Sequence, residues 1–163
     1  SYTATIRLGA TTPCLDAELP VREWVDAQHI DKTAIVAAAA QQTGTIDQMP
    51  PLYSAKKIKG QKAYAMARKG GDIELKAATI DISRFDIYSV EARTIDGNAV
   101  VDVTAEIDCS KGTYIRAIAR DLGNALGVGG HLVGLRRTRS GAYSIDACKP
   151  LTDVLSAIEA TPI

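Results

Sequence analysis

Val101-Asp102-Val103-Thr104-Ala105-Glu106-Ile107-Asp108-Cys109, running on into Ser110-Lys111-Gly112-Thr113-Tyr114-Ile115-Arg116, is the stretch on which the fold turns. Its apolar members, Val101, Val103, Ala105, Ile107 and Cys109, alternate with Asp102, Thr104, Glu106 and Asp108, the period-two pattern of a half-buried strand. Beyond Cys109 the period changes. Ile115, Ile118, Ala119, Leu122 and Leu126 recur at helical spacing, Ser110 or Thr113 is available as the N-cap, and Gly127 stands where a left-handed C-terminal cap is wanted. A strand therefore passes through a short glycine-containing turn into an amphipathic helix. At about 100° per residue Tyr114 falls at one edge of the apolar stripe, while Arg116 lies clear of it on the flank of Arg120. Composition alone reads Arg116 as part of a solvated face.

Working outward, Asp96-Gly97 is a two-residue hairpin turn into this strand, and Ile73 to Val90 carries strand patterning, clearest at Ile80 and Ile82. Tyr2, Ala4, Ile6 and Leu8 alternate with Thr3, Thr5 and Arg7 before Gly9. No turn or cap precedes that strand, so a chain truncated at its start is expected. Ala10 to Pro20 reads as a loop, and Asp31 or Thr33 starts an alanine-rich helix through Gln42, stopped by Gly44. Trp24 is expected to pack on the core or cap a loop, and His29 to be structural. Met49-Pro50-Pro51 must be extended. Tyr53 to Lys62 predicts a hairpin turning at Lys59-Gly60, Ala63 to Arg68 a short helix ending at Gly70-Gly71, Ala142 to Ile145 a strand and Pro150 to Ile158 a last helix. The sum is an α+β domain, a mixed and mainly antiparallel sheet with packed helices. There is no βαβ rhythm and no GxGxxG or P-loop, which argues against nucleotide cofactors.

With 163 residues, 46% of them hydrophobic, the chain reads as one medium soluble domain able to bury a sizeable core. No apolar run approaches a membrane span, and no N-terminal segment reads as a signal peptide. Cys14, Cys109 and Cys148 are odd in number and widely spaced, without the CxxC of a zinc site or the pairs of a disulfide framework, so neither metal nor disulfide is expected and a reducing cytoplasm fits. Net charge is zero. Its distribution is uneven: Lys56, Lys57, Lys59, Lys62, Arg68 and Lys69 form one basic segment, and Lys111, Arg116, Arg120, Arg136, Arg137 and Arg139 a second. Folded together they could track a phosphate backbone; taken singly each reads as a solvated face.

Longer strings decide between those readings. Gly112-Thr113-Tyr114-Ile115-Arg116, Asp121-Leu122-Gly123 with Leu126-Gly127, Gly130-His131-Leu132-Val133 and Leu135-Arg136-Arg137-Thr138-Arg139-Ser140-Gly141 together resemble the tRNA pseudouridine-55 synthase (TruB) family. Pro50-Pro51-Leu52-Tyr53-Ser54-Ala55-Lys56-Lys57 with Gly60 and Ala63-Tyr64 resembles that family's P-P-x-Y-S-A-x-K segment, and Tyr2 to Gly9 with Thr12 and Asp16 its Y…LG…T-x-T-x-D segment. Nearly the whole chain is covered. Cys14 stands where the family has threonine, and Leu19 where it has glycine.

The resemblance implies a partial pseudouridine synthase catalytic domain over residues 1–163, acting on one uridine in the T-arm of tRNA. Members flip the base from its stack, attack with an aspartate and rejoin base to ribose through carbon, without metal or cofactor. That aspartate belongs to a motif resembling G-H-x-G-T-L-D, which is absent here and would precede residue 1, so the chain alone is expected to be inactive; any C-terminal RNA-binding domain would lie beyond it. By the same resemblance Tyr2 stacks on the flipped uracil, Arg116 holds the aspartate in an ion pair with Asp16 as second carboxylate, Tyr114 is a pocket tyrosine and Leu135 the apolar wall under the base. Lys56, Lys57, Arg136 and Arg137 are the candidate RNA phosphate contacts. A cytoplasmic monomer bound to tRNA is expected. Two alternatives stay open: a non-catalytic RNA-binding or RNA-folding module, and a guide-RNA-dependent relative, which shares the Arg136 to Gly141 pattern.

Overall fold

The computed structural model describes residues 1–53, 57–58, 61–62 and 75–159. In chain order the elements are β1 (Tyr2–Leu8), β2 (Ala10–Thr11), β3 (Glu23–Trp24), α1 (Lys32–Gln41), β4 (Gly44–Gln48), β5 (Lys57–Ile58), β6 (Gln61–Lys62), β7 (Ala78–Ile95), β8 (Asn98–Cys109), α2 (Ile115–Ala125), β9 (Gly130–Arg137), β10 (Arg139–Ser140), β11 (Tyr143–Ser144), a 3₁₀ turn (Ile145–Ala147) and α3 (Leu151–Glu159). Five strands form the main sheet in the order β4-β7-β8-β1-β9. Every strand pair in it is antiparallel; the described parallel pairing is one isolated bridge between Asp16 and Leu132.

The alternation at Val101 to Cys109 makes up most of β8 and runs to its end; the strand pairs on one side with β7 and on the other with β1. Asp96 and Gly97 take φ of 50° and 78°, the left-handed geometry a two-residue turn between right-twisted strands requires. Along β7 the buried face reads Ile80 and Ile82, then Phe85, and the phase slips at bulges between Ile82 and Arg84 and between Ile87 and Ser89. Each slip is an extra residue on β7 that keeps the apolar set facing inward as the strand twists.

Both long helices lie on one face of the sheet. Ile35, Ala38 and Ala39 of α1 and Ile115, Ile118, Ala119 and Leu122 of α2 join Ala4, Ile6, Leu8, Val101, Val103, Ala105 and Ile107 in a single buried cluster. An 11-residue helix is marginal in water, so α2 is held by this packing, about 2 kcal/mol for each fully buried large side chain. Gly123 lets it come close: a Cβ there would stand 2.1 Å from the Gly129 carbonyl carbon, so α2 rests backbone to backbone on the start of β9. The opposite face carries charge, with Asp102 between Arg7 (2.8 Å) and Arg93 (3.1 Å), and Arg84 between Glu106 (2.6 Å) and Asp108 (2.9 Å).

Of the local expectations, some hold and others resolve differently. Asp31, not Thr33, caps α1, its carboxylate accepting from the Ala34 amide at 2.8 Å. Ala10–Thr11, expected in a loop, pairs with Glu23–Trp24 as a two-stranded ribbon that leaves Trp24 half-buried, and His29 is exposed. The two edge strands, β4 and β9, have no counterpart in the sequence reading. Lys57↔Lys62 and Ile58↔Gln61 pair as the hairpin reading requires, while its turn, the helix expected at 63–68 and the glycines after it lie outside the described residues.

Candidate active site

The turn from β8 into α2 is built around Gly112, whose φ of 86° a side chain would oppose. Ser110 extends the sheet: its amide donates to the Asp81 carbonyl (2.8 Å) and its hydroxyl accepts from the Asp81 amide (3.0 Å). Thr113 donates its hydroxyl proton back to the Ser110 carbonyl at 2.9 Å. Neither side chain is therefore free to cap the helix, and the N-cap is Tyr114, extended and without a side-chain cap bond of its own. Gln48, at the end of β4 and 3% exposed, supplies the missing cap. Its Oε1 accepts from the Tyr114 amide at 2.9 Å and its Nε2 donates to the Tyr114 carbonyl at 3.2 Å, a bidentate clamp of one side-chain amide on the main chain of one residue.

Two residues past the N-cap, Arg116 is not on a solvated face. Its side chain is 25% exposed, and Nη1 donates to Asp16 Oδ2 and to the Cys14 carbonyl, both at 3.0 Å, while Nη2 donates to the Tyr53 carbonyl at 2.8 Å. The loop bearing Asp16 is pinned in turn. The Thr12 hydroxyl (2.7 Å) and the Cys14 thiol (3.3 Å) donate to the Asp16 carbonyl, the Glu18 amide donates to Asp16 Oδ1 (3.0 Å), and the Leu132 amide donates to the Leu15 carbonyl (3.0 Å). Leu15 takes a left-handed φ of 64°, which aims the next residue at the helix. Partial burial works against the charge of Asp16, but the Cys14 thiol, the Glu18 amide and the Arg116 guanidinium outweigh it and hold the carboxyl below its ordinary value. At neutral pH the pair is a carboxylate and a guanidinium.

This pair forms one wall of a cleft of about 390 Å³ whose other side is Leu132, Val133, Gly134 and Leu135 of β9, with Ala17 and Glu18 at the rim. Leu135 is 49% exposed, an apolar side chain left open to a ligand beside a charged pair. Asp16, Arg116 and Leu135 are thus brought together. Tyr2 lies next door: it pairs with Arg137, two positions along from the Ala4–Leu135 pair on the same face, and lines an adjoining cleft of about 310 Å³. Tyr114 is half-buried at the helix start and lines neither cleft. Arg136 pairs with Thr3, so it projects to the charged face while Arg137 projects to the side of Tyr2. Lys56 lies outside the described residues, and for Lys57 only the backbone is described. Gln48 was missed by the sequence reading. Its one local signal is its place before Met49-Pro50-Pro51, and nothing there announces a partner 66 residues on.

Among the described residues no group of three or more His, Cys, Asp or Glu side chains is arranged to hold a metal ion, and no helix is long and apolar enough to cross a membrane. Residues 1–115 match the family description "TruB family pseudouridylate synthase (N terminal domain)", and residues 116–161 match "tRNA pseudouridylate synthase B C-terminal domain". Similar curated proteins include a tRNA pseudouridine synthase B of Paenarthrobacter aurescens strain TC1, 49% identical over 98% of this chain and 50% of that protein. Others are those of Mycobacteroides abscessus, 49% identical over 94% of this chain and 51% of its own length, and Thermobifida fusca, 44% identical over 99% and 55%. The chain spans about half the length of these relatives. Among solved structures, a Cbf5-Nop10-Gar1 complex shows a likeness with a TM-score of 0.48 and 26% identity over 89% of this chain and 31% of that one.

Proposed function

The chain belongs to the TruB family of pseudouridylate synthases, and from that premise we propose that it carries the base-binding and charge-positioning part of a site that isomerises one uridine, position 55 of the tRNA T-arm, to pseudouridine. The observation that carries the proposal is the Arg116–Asp16 pair facing Leu135 across one cleft. The apolar wall suits a flipped base, and a guanidinium held from behind by a carboxylate and two carbonyls keeps a fixed direction in which to hold a second carboxylate ionised. In this reading the second carboxylate is the nucleophilic aspartate, supplied by sequence outside these 163 residues. Tyr2 stacks on the uracil from the second cleft. Lys56, Lys57 and Arg137 are proposed to contact phosphate. Isomerisation conserves every atom of the nucleotide, so the reaction needs no oxidant, metal or co-substrate. We place the protein in the cytoplasm, acting on tRNA as a monomer.

The test is pseudouridine formation in an unmodified T-arm stem-loop, run with this chain and with the same chain carrying the sequence encoded upstream of it. Turnover by the extended form alone supports the reading. Binding by both with turnover by neither replaces it with a non-catalytic RNA-binding module, and turnover by the short form would mean that the nucleophile lies within these residues.

A further inference from the structure

Helix α2 carries two arginines four residues apart, Arg116 and Arg120, and both donate to the main chain of one segment, Met49 to Tyr53. Arg116 Nη2 reaches the Tyr53 carbonyl and Arg120 Nη2 the Met49 carbonyl, each at 2.8 Å. The segment needs such donors. Successive residues of a strand face opposite neighbours, so one of the consecutive Pro50 and Pro51 would meet the adjoining strand without an amide hydrogen, and the ladder of β4 ends at Gln48. Carbonyls that leave a sheet must find partners elsewhere. With Pro50 and Pro51 buried, the segment is a strap tied to α2 at three points: Gln48 to Tyr114, Met49 to Arg120 and Tyr53 to Arg116.

Arg120 is held for that task. Its side chain is 23% exposed, and Asp121 accepts from its Nε at 2.7 Å and its Nη2 at 3.1 Å. Like charges at i and i+4 on a helix repel, and the Asp121 carboxylate offsets the second of them while fixing its plane. Arg116 in turn joins the strap to the Asp16 loop, since its Nη1 bonds the Cys14 carbonyl and Asp16. Among the described residues no hydrogen bond runs directly from strap to loop. The two share a cleft of about 480 Å³, lined by Pro13 and Leu15 from the loop and Met49 and Pro50 from the strap, with Arg120 beside them. Their separation is therefore set through the arginines of α2. The Tyr53 carbonyl occupies one Nη2 hydrogen of Arg116 and so resists rotation of that guanidinium, the property needed to hold a second carboxylate in a fixed direction.

We propose that Arg120 is a positioning residue for the reaction: by anchoring the strap at Met49 it keeps the Tyr53 carbonyl on Arg116, and so keeps the Arg116 guanidinium oriented toward the nucleophilic carboxylate. The catalytic part of this rests on the function proposed above; the anchoring does not.

The experiment uses the complete protein containing this chain and takes two readings: single-turnover pseudouridine formation at saturating T-arm stem-loop, with the affinity for that RNA, and nuclear magnetic resonance of arginine-labelled protein, in which the Arg116 signals are assigned by their absence from Arg116→Lys. Arg120→Met keeps the length of the stem and removes the donors. It is expected to lower the saturated rate by about 10–100-fold, to leave affinity within about twofold, and to merge the two Nη2 proton signals of Arg116 into one as rotation is freed. Arg120→Gln, two atoms shorter but polar, is expected to do the same, and Arg120→Lys, which can still donate to Met49, to retain most of the rate. In an Arg116→Lys background Arg120→Met should cost less than about threefold, because both changes break one chain of contacts. A saturated rate retained in Arg120→Met whatever its stability, a full loss repeated in the Arg116→Lys background, a lysine variant as slow as the methionine one, or unaltered Arg116 signals overturns the proposal. If the parent protein makes no pseudouridine, merged Arg116 signals in Arg120→Met uphold the anchoring and remove only the reaction it was assigned to serve.

Discussion

Replacing Gln48 by leucine keeps the volume of a side chain that is 3% exposed and removes both of its bonds to Tyr114. The two losses are unequal. The Tyr114 carbonyl still accepts from the Ala117 (3.0 Å) and Ile118 (3.2 Å) amides, whereas the Tyr114 amide has no other described partner and is left unpaired at the helix start. An orphaned donor costs about 1–3 kcal/mol when buried and this one is half-buried, so we expect Gln48→Leu to destabilise by about 1–2 kcal/mol, with a fall in Tm of about 2–8 °C for a domain of this size. Gln48→Glu retains the acceptor but sets a second carboxylate oxygen against the Tyr114 carbonyl and buries a charge, and is expected to cost at least as much. Equilibrium urea unfolding with an unchanged m-value, paired with amide exchange at Tyr114, reads both effects. A Gln48→Leu midpoint equivalent to less than about 0.5 kcal/mol of change would refute the clamp as the support of α2. Because Arg116 is two residues from the clamped Tyr114, the leucine variant should also lower turnover in the complete protein by more than it lowers RNA affinity.

Further outcomes follow from the same geometry. Arg116→Lys keeps the charge but cannot serve Asp16, Cys14 and Tyr53 together, so steady-state and binding assays on the complete protein should show turnover falling far more than tRNA affinity; equal losses count against its role. Gly123→Ala drives a methyl group into the Gly129–Gly130 backbone and is expected to cost at least about 3 kcal/mol in chemical denaturation, with wild-type stability as the refuting result. His131 is buried with its Nδ1–H on the Ala10 carbonyl at 2.9 Å, and burial lowers its pKa below the ordinary histidine value. The unfolded chain then takes up the proton first, so this contribution to stability is fully present above about pH 6.5 and is lost as pH falls below it; unfolding midpoints from pH 8 to 5 should decline, and less steeply in His131→Gln.

Much of the scaffold was legible one segment at a time. The alternation in Val101 to Cys109, the left-handed pair Asp96-Gly97 and the Ile115–Leu122 stripe each state their structure locally, because strand period, turn geometry and helix period are properties of neighbours in sequence. The edge strands β4 and β9 carry no comparable signal, since their pairing depends on which strand lies alongside and not on their own pattern. The site divides the same way. By helical angle Arg116 looked solvated, and only resemblance to a family singled it out; what makes it half-buried is Asp16, 100 residues earlier, held by a loop that β9 in turn pins through Leu132. Gln48 and Tyr114, and the split of Arg136 from Arg137 across the sheet, were likewise decided by register and by which elements the core brings together. Local periodicity follows from the covalent chain, but a clamp, an ion pair or a cleft is a relation between residues far apart in it, and burying one common core is what fixes that relation.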